Sequence, residues 1–185
     1  MGLAALKRED LPHYTYDDYA QWEGRWELIQ GIPYAMVPAP AMKHQWLGIR
    51  ISAHLISLLE NCGKCKPLLP VDWEIAPDTV VQPDVLVVCS DSDFLEGVKL
   101  TIPPVLVFEI LSPSTARKDR IIKYQLYQDA GVKYYCIVDP ETKSADVFLL
   151  RDCAYQGMGA FHEGKMTFDL DVCTIDFDFG AVFND

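Results

Sequence analysis

The run Val105-Leu106-Val107-Phe108-Glu109-Ile110-Leu111 constrains this chain more than any other stretch. It is apolar almost without a break, so a strand built from it must be covered on both faces. It stops at Ser112-Pro113-Ser114-Thr115. A helical segment follows from Arg117 to Ala130, with Ser114 or Thr115 as its cap and Gly131 as its stop. A second apolar run, Tyr134 to Val138, comes next. Strand, helix and strand in that order predict a parallel crossover. The fold class is therefore α/β, a mixed β-sheet flanked by helices.

The remaining segments fit that frame. Thr15-Tyr16-Asp17-Asp18 reads as a capping box opening a short helix through Trp22. Arg25 to Met36 reads as a hairpin turning at Gln30-Gly31. Between Met42 and Glu60, Trp46, Ile49, Ala53, Ile56 and Leu59 recur at three- and four-residue steps, the signature of an amphipathic helix. Two strands are expected over Pro67 to Ile75 and Val81 to Val88, and a further one over Ala145 to Leu150, pairing with Tyr134 to Val138. The tail from Phe161 alternates around Gly164 as a hairpin. Its aromatic end, Phe177 to Phe183, either closes the core or offers an interface.

With 185 residues, half of them apolar and 23% charged, the chain suits one soluble domain over 1–185, its first 14 residues loosely ordered. No apolar run reaches the roughly 18 residues of a membrane span, and Met1 to Asp10 lacks a signal-peptide core. Cytoplasmic residence is the expectation. The formal net charge of −11 argues against a large DNA-wrapping surface, because phosphate neutralisation dominates that affinity. A small basic patch is still available in Arg117, Lys118, Arg120 and Lys123. Of the six cysteines, only Cys62 and Cys65 have ligand-like spacing, and no second pair completes a zinc site. They read as ordinary thiols in a turn, and Cys89 and Cys136 as small core residues.

Two carboxylates carry the chemistry. Glu109 sits within an apolar strand, where an ionised acid is costly unless paired or metal-bound. Asp84 follows Pro83 at the head of Val85-Leu86-Val87-Val88. If those strands are antiparallel neighbours, the two acids meet and form a compact oxygen-ligand pair for Mg²⁺. Lys123 stacks on Asp119 at i,i+4: an ordinary surface ion pair, or a cation turned over the sheet end towards Asp84 and Glu109. Glu27, in Arg25-Trp26-Glu27-Leu28-Ile29, is either a further metal or water ligand or a carboxylate on the outer face of the hairpin. His44 is a helix-start residue beside a plausible cleft, a cap or surface group in the ordinary case and a member of the site in the other.

Glu27-Leu28-Ile29-x-Gly31, His44, Gln82-Pro83-Asp84-Val85, Glu109-Ile110-Leu111-Ser112-Pro113-Ser114-Thr115, Asp119, Lys123 and Gly131-Val132-x-Tyr134-Tyr135-x-Ile137-Val138-Asp139-Pro140 occur in that order. From about Thr15 to about Phe183 the chain resembles the Uma-type family of putative restriction endonucleases, within the PD-(D/E)xK nuclease superfamily. The resemblance implies a restriction-endonuclease-like core, hydrolysis of DNA dependent on Mg²⁺ (or Mn²⁺), and a tendency to form homodimers. It implies Asp84 and Glu109 as metal ligands and Glu27 as the early acid. The superfamily lysine normally stands two residues after the second acid, where this chain has Leu111, and Lys123 matches the helical lysine that replaces it. A second reading is a non-catalytic or regulatory protein that keeps the fold. A third is a zinc or thiol module at Cys62 and Cys65.

Overall fold

A computed structural model of the chain describes residues 12–36 and 40–184. Among the described residues there are three sheets and four α-helices: α1 (Tyr16–Tyr19), β1 (Trp26–Ile29), β2 (Ile32–Ala35), α2 (Met42–Leu59), β3 (Cys65–Leu68), β4 (Trp73–Ala76), β5 (Thr79–Val81), β6 (Val85–Cys89), β7 (Leu106–Ile110), α3 (Tyr124–Asp129), β8 (Tyr134–Asp139), β9 (Ser144–Arg151), β10 (Ala154–Phe161), β11 (Lys165–Asp169), β12 (Thr174–Asp178) and α4 (Phe179–Phe183). The six-stranded sheet runs β10-β9-β8-β7-β6-β3. β7 and β8 are parallel, as the crossover predicts, and the other pairs are antiparallel. A four-stranded sheet, β2-β1-β5-β4, and the β11-β12 ribbon stand beside it.

Period-2 alternation divides the core. On one face, Leu106, Phe108 and Ile110 of β7 join Val85 and Val87 of β6. They pack against Leu47, Ile51, Leu55 and Leu59 of α2 and against Phe168, Phe177 and Phe179. The other face carries Val107 with Leu86, Val88, Tyr135 and Ile137, packed against Trp73, Tyr127 and Tyr155. Both faces of β7 are covered, which explains its near-continuous apolar sequence. Gln30 and Gly31, at φ 50° and 75°, close the β1-β2 hairpin as expected. A Cβ on Gly31 would lie 2.2 Å from the His13 ring.

Several expectations are corrected. The strands expected over 67–75 and 81–88 are each split between two sheets. Pro70 and Pro83 interrupt them, and a residue without an N–H cannot continue a ladder. The short helix stops at Tyr19 rather than Trp22. The tail hairpin is β11-β12, which turns at 170–173. Gly164 instead links β10 and β11, which lie in different sheets. Phe177, Phe179, Val182 and Phe183 are buried, so the aromatic end closes the core. Residues 12–14 are held: the Tyr14 N–H donates to the Gly31 carbonyl at 3.0 Å, and His13 lies 3.2 Å from Asp78. The rest of the expected loose segment, 1–11, and residues 37–39 before α2 lie outside the described residues.

Cys62 and Cys65 are not a free pair of thiols. Cys62 is bonded to Cys173, tying the end of α2 to the β11-β12 turn. Cys65 is bonded to Cys89, its directly opposite residue across β3 and β6. Cys136 is free and buried, as its apolar run suggests, and Cys153 is free and exposed.

The helix expected over 117–130 is not uniform. Lys118–Lys123 is a π-helical turn leading into α3. Hydrogen bonding from i to i+5 widens the turn, so residues five apart come round to one side. Lys118 and Lys123 therefore approach the sheet together.

Candidate functional site

The β6-β7 register sets Val85 opposite Phe108 and Leu86 opposite Val107. One residue further back, Asp84 stands opposite Glu109. Both acids share the parity of the face covered by α3, and the two strand ends meet as the antiparallel alternative requires. The Ile110 N–H donates to Asp84 Oδ2 at 2.8 Å and fixes that carboxylate at the sheet end.

Lys123 is not a surface residue. Its Nζ lies 2.8 Å from Glu109 Oε1 and 2.7 Å from Glu27 Oε1, with Asp119 Oδ1 at 4.0 Å. All four side chains are buried. Burial alone would lower the lysine pKa, but Glu109 and Glu27 outweigh it and hold the ammonium well above its ordinary value. At Glu109 burial dominates and Asp84, Asp119 and Glu27 reinforce it, so its carboxyl is pushed well above the usual range despite Lys123. The Tyr127 hydroxyl donates to Glu109 Oε1 at 2.6 Å, and burial followed by Glu109 raises its own pKa. Tyr127 thus remains a donor.

Glu27 is fully buried and faces inward from β1, not on the outer side of the hairpin. It accepts from the Gln82 N–H at 3.0 Å and from both Lys118 and Lys123. Burial would raise its pKa, but the two lysines overcome that and lower it. Glu27 is therefore an ionised anchor for the two cations. His44, in the first turn of α2, places Nε2 3.2 Å from Asp84 Oδ2. Burial opposes its charge, yet the hydrogen bond and charge of Asp84 prevail and raise its pKa.

Asp84, Glu109, Lys123 and His44 line one cavity of about 560 Å³, together with Asp119, Lys118, Arg117, Arg25, Gln82 and Tyr34. The structure thus brings together Asp84, Glu109, Lys123 and His44 at the cavity, with Glu27 buried behind them. Arg120 turns away and pairs with Asp146 at 3.0 Å. Sequence reasoning assigned no role to Tyr127, although it falls on the helical face of Asp119 and Lys123. In the sequence Lys118 is one member of a general basic patch, because only the π turn aligns it with Lys123.

Four carboxylates, Glu27, Asp84, Glu109 and Asp119, share this region with two lysines and His44. The acids are matched by these cations and by the burial that favours the neutral form of Glu109; a divalent cation at Asp84 and Glu109 would be the charge that favours its ionised form. Among the described residues, no three His, Cys, Asp or Glu side chains converge to enclose an ion. A pair of carboxylates with retained waters is nevertheless the ordinary protein share of a Mg²⁺ site, and Asp84 and Glu109 are the residues able to supply it.

Known proteins are similar to this chain at two levels. An uncharacterized protein of Synechocystis sp., slr1290, is 29% identical over 150 residues, which is 77% of each chain. In structure, the chain is similar to a putative nuclease belonging to DUF820 from Anabaena variabilis, with a TM-score of 0.71, 16% identity, and coverage of 92% of this chain and 97% of that one. The likeness shows a shared mixed α/β fold. The model of the Uma2 family, described as a putative restriction endonuclease, matches residues 16–175, and the chain belongs to that family.

Proposed function

We propose that this protein is a metal-dependent endonuclease that hydrolyses DNA phosphodiester bonds at the Asp84–Glu109 cavity. The observation that carries the reading is the convergence of Asp84, Glu109 and Lys123 from β6, β7 and the π turn. Asp84 and Glu109 are the metal ligands of the proposal. Mg²⁺ or Mn²⁺ held there would activate water for attack and offset charge on the scissile phosphate. Lys123, kept ionised by Glu27 and Glu109, adds positive charge where the transition state gains negative charge. His44 orients Asp84, and Arg25, Arg117 and Lys118 present positive charge to a phosphate backbone along the cavity wall. Cytoplasmic residence and a homodimer complete the proposal, since cutting a duplex needs two sites or a repositioning step. No described helix is long and apolar enough to cross a membrane.

The test is cleavage of plasmid, linear duplex and single-stranded DNA with Mg²⁺ or Mn²⁺. Asp84→Asn and Glu109→Gln are expected to abolish cleavage with the fold intact by circular dichroism. Cleavage that survives both substitutions unchanged overturns the assignment. One observation favours the second reading, a non-catalytic protein retaining the fold: Glu109 Oε1 is already engaged by Lys123 and Tyr127. Calorimetry separates the two. Heat of Mg²⁺ or Mn²⁺ binding that disappears in Asp84→Asn supports the nuclease, and no heat in the parent protein supports the alternative.

A further inference from the structure

The apolar residues that mark α2 as a helix are, with one exception, not the ones it buries. Leu47, Ile51, Leu55 and Leu59 pack on the six-stranded sheet. On the opposite side of the helix, at 100° per residue, lie Met42, Trp46, Ile49, Ala53 and Ile56. Met42 is 91% exposed, Trp46 52%, Ile49 54% and Ile56 57%. The steps alternate between four and three residues, the spacing of a coiled-coil seam. A second apolar face, directly behind the first, packs against none of the hydrophobic clusters among the described residues.

We infer that this stripe is the contact between two copies of the chain, with the two α2 helices packed antiparallel. The sequence of the helix favours a second copy as the occupant. Laid antiparallel about Ile51, Trp46 meets Ile56, Ile49 meets Ala53 and the flanking Gln45 meets Ser57, so the stripe complements itself. The charges do the same. Glu60 continues the stripe at the C-terminal end. The N-terminal end has Ala41 as N-cap with no side-chain cap bond, and no acid in its first turn. In the antiparallel pair, Glu60 of each copy lies opposite Met42 at the partially positive N-terminus of the other, beside Lys43, which also pairs with Glu141 of its own copy. Trp46, with the Arg50 guanidinium 5.8 Å from its ring centre, is the natural anchor. His44 faces the opposite way, to Asp84, so pairing leaves the cavity side of α2 unobstructed.

This inference deepens the homodimer part of the proposal above and is independent of catalysis. A seam of one helix is small for an interface, so association should depend on concentration. The experiment is sedimentation of the full chain from low to high micromolar concentration, with circular dichroism to check each variant. The parent should move from 20.9 kDa towards twice that mass. Trp46→Glu and Ile56→Glu, both at exposed positions, should keep the fold and weaken dimerisation by at least about thirtyfold, the loss expected of an interface hot spot. Glu60→Lys should weaken it by a smaller factor that salt diminishes. A dimer indifferent to Trp46→Glu and Ile56→Glu overturns the surface while sparing the homodimer. A parent that stays monomeric throughout overturns both, and DNA cleavage by that monomer leaves the nuclease reading standing.

Discussion

At the scale of single residues, the site is a set of charges arranged by burial. His44 shows this in a measurable form. Its folded pKa is raised because Asp84 outweighs the cost of burying the cation. Stability from this pair is therefore fully present below the unfolded value near 6.5 and is lost as pH rises through the folded pKa. Titration of the His44 ring by NMR should give a midpoint above 6.5 in the parent. In Asp84→Asn the midpoint should fall, since the carboxylate that does most to oppose burial is gone and only the Ile110 backbone and the Asp119 charge still favour the cation. A midpoint that does not respond to Asp84→Asn would show that the two side chains do not interact in solution. The two acids of this site could be read from the sequence because each stands at an apolar strand terminus, where a lone carboxylate demands a partner. Tyr127 could not be read in the same way. A tyrosine facing a core is ordinary, and its hydroxyl acquires meaning only once Glu109 is placed 2.6 Å away.

At the scale of elements, the π turn decides the site. Lys118 and Lys123 are both partners of Glu27 because the turn is one residue wider than an α-helix allows. Deleting the exposed Ile121 should return the segment to α-helical spacing and rotate one lysine off Glu27. Breaking a buried ion pair in this way costs about 3–5 kcal/mol, measurable by urea denaturation, while the helical content by circular dichroism should be nearly unchanged. The β7-to-β8 crossover was legible because burial on both faces leaves only apolar residues to choose from. The π turn was not, since apolar spacing reports an average period and hides a single extra residue. The division of 67–75 and 81–88 between sheets was legible in principle from Pro70 and Pro83. The apolar content of α2 announced a helix but misled about which side faces the core, because two apolar stripes share one period.

At the scale of the whole molecule, two disulfides bind separate parts of the chain. Cys62 and Cys173 are 111 residues apart, and Cys65 and Cys89 are 24 apart. Closing a loop of about 100 residues stabilises a fold by up to roughly 4–5 kcal/mol in the chain-entropy account. Reduction with dithiothreitol should therefore lower the unfolding midpoint in urea, and double replacement of Cys62 and Cys173 by serine should account for most of the loss. Thiol counting on the denatured chain should find two reactive groups, Cys136 and Cys153, before reduction and six after it. A reducing cytoplasm works against such bonds, so the same count on protein taken directly from cells also tests the proposed location. The burial of Lys123 has a consequence at this scale as well. An amine-acylating reagent should modify lysines such as Lys43 and Lys64 readily and spare Lys123, whose nitrogen is enclosed by carboxylates within the core. Acylation there would require Lys123 to leave Glu27 and Glu109 on the cavity wall, so mass-spectrometric counting of modified Lys123 over time becomes a clock for local opening of the site.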